Sequence, residues 1–215
     1  MQRNSRPRVA KETEPRLRRA YFESRFGQLH VHNAIPTGGG FDEGTSLLCV
    51  HGGNATGREF SALLRILGCD RSVYAPDLPG SGESDAPASP GAADAAVALD
   101  DFVGQMRFRH IDVLGLREGV LNACELALRR PQVIRRVVFA SAPVVTDRKT
   151  ADGFRLIAQP TLVLRPRDEY WEGGTRLREW MPKARMLDLP AETFAISTAA
   201  VPVAVSDALK AFLRG

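Results

Sequence analysis

An α/β fold with a mostly parallel sheet is what the sequence predicts, and three observations carry it. Short apolar runs alternate with segments of helical spacing along nearly the whole chain. Several of those runs, Ser46–Val50, Val137–Ala140 and Pro160–Leu164, are unbroken rather than alternating. That is the pattern of a strand buried on both faces, as helices on either side of a parallel sheet require. Finally, the run Ile111–Leu114 stops at Gly115, and Gly119 opens a helical pattern, so a strand turns abruptly into a helix. Small residues on both sides let the chain double back. The residue at the tip, Arg117, is then forced into a strained, exposed pose.

The elements follow in order. Residues 21–24 and 28–32 alternate around Phe26-Gly27 and read as a β-hairpin, with Leu29 and Val31 on one face and His30 and His32 on the other. Two histidines at i, i+2 can ligate a metal, but no third ligand is evident, so exposed strand histidines are expected and no metal site is assigned. Residues 36–44, with three consecutive glycines, form a flexible loop. Strand 46–50 ends in His51-Gly52-Gly53-Asn54, and residues 58–67 have helical spacing. Strand 73–75 runs into Asp77-Leu78-Pro79-Gly80-Ser81-Gly82-Glu83-Ser84. Ser89-Pro90 predicts a helix start, with the helix running over 92–106. After strand 111–114, helix 118–130 stops before Pro131. Strands at 137–140, 160–164 and 185–189 and helices at 174–181 and 203–213 complete the series.

A chain of 215 residues is one domain able to bury a core, and it shows no internal repeat. No apolar run approaches the ~20 residues of a membrane helix, and the N-terminus lacks a signal-peptide core. Cys49, Cys69 and Cys124 are an odd count without metal-type spacing, which reads as reduced thiols in a cytoplasmic protein. Charge is unevenly placed. Residues 1–20 hold seven basic side chains against Glu12 and Glu14, a local +5 that leaves −1 for residues 21–215 out of the net +4. The chain therefore divides into a basic arm, 1–20, and a core domain, 21–215. A near-neutral core argues against nucleic-acid binding, and nothing calls for a membrane or a cofactor. The arm offers a surface for a protein partner.

Four landmarks, taken together, resemble the α/β-hydrolase superfamily, in particular its lid-bearing esterase, C–C hydrolase and dehalogenase branch. They are His51-Gly52 after the third strand, Asp77–Ser84 after the fourth, the glycine-framed turn after the fifth, and Gln159–Leu164 as the seventh. They stand in family order over residues 21–213. The resemblance implies an eight-stranded, mostly parallel sheet with helices on both faces. It also implies a nucleophile, a histidine and an acid. Position by position, the nucleophile falls on Arg117 and the histidine on Phe194. The acid falls on Glu169, with Asp168 beside it. Arginine stays protonated and phenylalanine cannot move a proton, so the triad is degenerate. No histidine follows His110. Ser141 and Ser61 are substitute hydroxyls without a histidine placed to activate them. The relatives' lid is missing too, since only Val144–Leu156 separates Pro143 from Ile157.

The resemblance further implies an oxyanion-hole-like cradle of His51, Gly52, Gly53, Asn54, Arg117 and Glu118, with the Gly53 and Glu118 N–H groups converging. Arg117 beside two amides could take a small anionic ligand. Alternatively Arg117 plugs the old pocket by pairing with Glu169 or Asp168, which the need of a buried arginine for a partner favours. Three function classes follow: a non-hydrolytic binding protein (a pseudoenzyme), an accessory subunit, or an enzyme of altered acid–base mechanism using Asp168, Glu169, His51 or Arg117.

Overall fold

The computed structural model describes residues 14–37, 44–89, 94–190, 196 and 199–215. Eight strands form one sheet in the order β1-β2-β4-β3-β5-β6-β7-β8. Strands β1 (Arg16–Ser24) and β2 (Gly27–Ile35) make the hairpin, and β2 pairs antiparallel with β4 (Arg71–Pro76). From β4 the sheet is parallel through β3 (Gly44–Val50), β5 (Ile111–Leu116), β6 (Ile134–Ala140), β7 (Thr161–Pro166) and β8 (Arg185–Leu189).

The unbroken apolar runs do what their pattern requires. Leu48, Val50, Val113, Val137, Phe139 and Val163 point to one face, while Leu47, Cys49, Leu114, Leu116, Val138 and Leu164 point to the other. Helices α2 (Ala95–Gln105), α3 (Gly119–Arg129), α4 (Arg148–Leu156) and α5 (Trp171–Trp180) contribute to the first core, through residues such as Phe102, Ala123, Phe154 and Leu177. Helices α1 (Ser61–Leu67) and α6 (Val203–Arg214) cover the second with Leu63, Leu67, Val205 and Leu209. In α3 the buried set Val120, Ala123, Cys124 and Ala127 recurs at helical spacing. Burial raises the Cys124 thiol to about 12 and pushes Cys49 up as well, so neither is a thiolate at neutral pH.

Several boundaries move. The helix expected from Ser89-Pro90 starts instead at Ala95, because Asp94 caps it and accepts the Val97 N–H at 3.1 Å. Pro90 and most of the glycine loop lie outside the described residues. The 58–67 segment splits into a 3-10 turn, Gly57–Phe60, and α1. Where relatives carry a lid, one helix, α4, spans the gap; Asp147 caps it by accepting the Thr150 N–H at 2.8 Å.

The arm boundary at residue 20 falls inside a strand. Arg16–Ala20 pair with residues 35 to 31 of β2, so the sheet begins five residues earlier than the charge pattern suggested. Charge obscured the strand because β1 is an edge: its side chains are mostly exposed, and arginines on an exposed edge discourage pairing with other chains. Deleting residues 1–20 should therefore lower stability by at least about 1 kcal/mol, since several ladder hydrogen bonds are lost. An unchanged denaturation midpoint would show this half of the strand to be dispensable.

Candidate functional site

Tight packing at the β5–α3 turn explains why two glycines frame Arg117. A Cβ on Gly115 would sit 2.6 Å from the Gly119 carbonyl oxygen, and one on Gly119 would sit 2.2 Å from that of Val50. The turn leaves Arg117 at φ 54°, the left-handed region that costs an L-residue about 1–2 kcal/mol. The strained tip is thus present without a hydroxyl on it. Its backbone N–H donates to the Ala140 carbonyl at 3.0 Å, which locks the pose.

The guanidinium does not meet either expected carboxylate. Arg117 Nη1 binds Glu59 Oε1, from the 3-10 turn that follows the His51–Asn54 loop. The plug reading is corrected in its partner: the ion pair is with Glu59 rather than Asp168 or Glu169, and it is only partly buried, with 39% of the Arg117 side chain and 16% of Glu59 exposed. Asp168 is turned toward its own loop instead. Its Oδ1 accepts the Tyr170 N–H at 2.9 Å and its carbonyl the Trp171 N–H at 3.1 Å, which starts α5. Burial pushes the Asp168 carboxyl above its ordinary value, with the Tyr170 N–H and the Arg117 charge acting the other way. Glu169 is exposed. Nothing in the spacing of Glu59, on the polar side of an amphipathic segment, marked it as a partner. Phe194 lies outside the described residues.

The loop after β3 and the β5–α3 turn lie against each other, with a carboxylate among them. Gly53 has φ 48°, and neither its N–H nor that of Glu118 donates a hydrogen bond among the described residues. Gly52 packs so closely on the Glu118 backbone nitrogen that a Cβ there would lie 2.5 Å away. The Glu118 carboxylate leans over the same glycines: Oε2 would be 2.5 Å from a Cβ on Gly52 and 3.2 Å from one on Gly53. Asn54 is exposed at the mouth. With Arg117 paired to Glu59 and the Glu118 carboxylate against the same glycines, the cradle is poorly matched to an anion.

His51 is fully buried, and its Nε2 accepts the Leu78 N–H at 2.9 Å. Burial holds the imidazole below its ordinary pKa, opposed by the charge of Asp77, so the ring is neutral, and its Nε2 bond to the loop after β4 gives it a structural part. Ser141, at φ 50°, is also buried, and its hydroxyl has no partner among the described residues. Ser61 donates to the Arg58 carbonyl at 2.5 Å. Neither serine hydrogen-bonds to a histidine.

A second cluster was half visible in the sequence. His30 is 1% exposed, not a surface residue, because β2 lies between β1 and β4 and the Asp77 loop folds over it. Asp77 is the third group that the spacing did not reveal. It, His30 and His32 bring one ligand-type atom each within 4.8 Å of one another. Hydrogen bonds account for both Asp77 oxygens without an ion: Oδ2 accepts from His30 Nδ1 at 2.9 Å and the Glu83 N–H at 3.0 Å, and Oδ1 from the Gly57 N–H at 2.7 Å. His32 Nε2 stands 3.6 Å from Oδ1. Burial would raise this carboxyl, but the nearby His32 ring and the hydrogen bonds from Glu83, His30 and Gly57 outweigh it and hold it well below the usual range. The cluster ties β2, the loop after β4 and the 3-10 turn together.

A family model described as alpha/beta hydrolase fold matches residues 45–168. No curated protein matches by sequence. Among solved structures, the thioesterase domain from the curacin biosynthetic pathway superposes with a TM-score of 0.77 at 13% identity, covering 91% of this chain and 99% of that one. A serine hydrolase from the polyaromatic-hydrocarbon-degrading bacterium Cycloclasticus zankles gives 0.75 at 14% identity over 91% and 97%. Naproxen esterase from Bacillus subtilis gives 0.73 at 15% over 92% of each chain. At such identities the likeness is one of fold.

Proposed function

The chain belongs to the alpha/beta hydrolase fold family, and from that membership we propose that it is a non-hydrolytic member acting as a binding or accessory protein. One observation carries the reading. The position from which the family's serine attacks holds a charged guanidinium ion-paired to Glu59, while the Glu118 carboxylate packs against Gly52 and Gly53, beside where an oxyanion would be held. Acyl transfer needs a nucleophile and negative-charge stabilisation at these two places, and both are replaced by groups of the wrong chemistry. Two further facts support it: no histidine follows His110, and His51 spends its Nε2 on the Leu78 N–H.

A fluorophosphonate probe tests the proposal directly. The purified protein should remain unlabelled and should not turn over p-nitrophenyl esters above the buffer rate. Adding acetate or other small carboxylates should leave the melting temperature unchanged, because a native-state ligand would have to raise it. Labelling at one serine, Ser141 being the first to check, or ester turnover lost on a single Ser→Ala change, would overturn the reading.

A further inference from the structure

We propose that His30, His32 and Asp77 form a binding site for a divalent metal ion of the zinc class, which clamps the hairpin to the loop after β4. The site uses no residue of the degenerate turn, so its failure would leave the reading above untouched. Strand alternation puts both histidines on the α1 side of β2, the side on which Ala34 joins the core. Asp77 reaches them from the end of the neighbouring strand. One ring nitrogen of each histidine and one Asp77 oxygen then lie within 4.8 Å of one another. His30 Nδ1 stands 2.9 Å from Asp77 Oδ2, and His32 Nε2 stands 3.6 Å from Oδ1. Ligands on a tetrahedral zinc ion, with bonds of about 2.1 Å, lie about 3.3–3.4 Å apart. Small side-chain movements therefore let the three groups share one ion. Two imidazoles and a carboxylate suit zinc, whereas magnesium and calcium favour oxygen ligands alone.

The groups around the cluster are those a ligand set needs. Each Asp77 oxygen takes a backbone N–H, from Glu83 or Gly57, which orients the carboxylate and stays in place when an ion replaces the histidine contacts. His30 is 1% exposed, and its Nε2 has no hydrogen-bond partner among the described residues. With an ion on Nδ1 the ring proton moves to Nε2, which stands 3.9 Å from Glu83 Oε2. Histidines that ligate a metal usually donate their other N–H to a carboxylate in this way. Glu83 is held for that part by the Tyr21 hydroxyl, which donates to Oε2 at 2.9 Å, and by Arg19 on its other oxygen. Access runs past the same side chains. The Tyr21 ring lies 5.2 Å from that of His30, and both Tyr21 and Glu83 are more than half exposed, so their movement admits an ion.

The test treats the full chain with EDTA, removes the chelator, and titrates it with zinc, cobalt(II) and magnesium chlorides by calorimetry, thermal melting and visible absorption. Zinc should bind one ion per chain and raise the melting temperature with concentration. Cobalt should develop the intense visible bands of a four-coordinate ion, which zinc then abolishes. Magnesium should do neither. His32→Ala should weaken zinc binding by at least about tenfold and remove the cobalt bands. His32→Gln keeps a polar side chain of similar length and gives the same readout should the alanine variant not fold. His110→Ala, at an exposed histidine outside the cluster, should change nothing. Zinc binding no tighter than that of magnesium, binding that survives the His32 changes, or binding lost in His110→Ala overturns the site. A pale, six-coordinate cobalt spectrum overturns the donor set and leaves the cluster a hydrogen-bonded hub alone.

Discussion

Gly119→Ala should destabilise the protein by about 3 kcal/mol or more, while Gly153→Ala should stabilise it slightly. The two glycines differ in what a methyl group would meet. At Gly119 the new carbon falls 2.2 Å from the Val50 carbonyl oxygen and 2.6 Å from that of His51, both backbone atoms at the end of a central strand. Neither can yield without pulling β3 away from β5, so the cost lies at the upper end of overpacking penalties. At Gly153, inside α4, the nearest atoms are Leu128 Cδ1 at 3.5 Å and Cys124 Sγ at 3.9 Å, which is ordinary contact. Alanine there gains about 0.5–1 kcal/mol of helix propensity. Urea unfolding of the three proteins measures both signs. A Gly119→Ala variant within 1 kcal/mol of the wild type would mean that the turn is not held by β3 at all.

That the turn is so tightly specified bears on how much the sequence disclosed. Packing leaves local marks, and those were readable: the unbroken runs at 46–50 and 137–140 read as strands covered on both sides, and Gly115 and Gly119 as the small residues that let the chain double back. Pairing leaves none. Glu59 reaches Arg117 because the 3-10 turn after β3 comes down beside the β5–α3 turn, a consequence of sheet order rather than of sequence separation. Asp168 looked available because it sits next to the family's acid position, yet its Oδ1 turns back to the Tyr170 N–H of its own loop while Glu59 takes the guanidinium. His30 looked exposed because alternation assigns a polar residue to the solvent side; here the loop after β4 lies on that side and carries the matching carboxylate. The edge strand failed in the reverse direction, since arginines at 16, 18 and 19 suggest a tail until β2 is known to need a neighbour.

Replacing Asp77 should be the most damaging polar change, and it should alter the acid limb of the stability curve. The carboxylate side chain is 2% exposed and accepts from two backbone N–H groups, Gly57 and Glu83, and from His30. Asp77→Ala strands all three donors in the interior and removes the partner of a buried histidine. Losses of this kind cost about 3–5 kcal/mol where a buried charge loses its partner and about 1–3 kcal/mol for an unsatisfied neutral group. A total near 4 kcal/mol is a large part of the ordinary margin of about 5–15 kcal/mol, so the variant should be barely folded at 25 °C. Asp77→Asn keeps shape and one acceptor oxygen and should fall between. The pH dependence follows from the depressed folded-state pKa. Between that value and the ordinary 3.8, the unfolded chain binds a proton that the folded protein refuses. Stability from Asp77 is therefore complete above about pH 4 and drains away as the pH falls toward the folded-state value. Urea midpoints measured from pH 7 down to pH 3 should drop steeply below pH 4 in the wild type. In Asp77→Asn they should start lower and fall less. Parallel curves for the two proteins would mean that the carboxylate is not ionised in the fold and that the hub is held by a neutral acid.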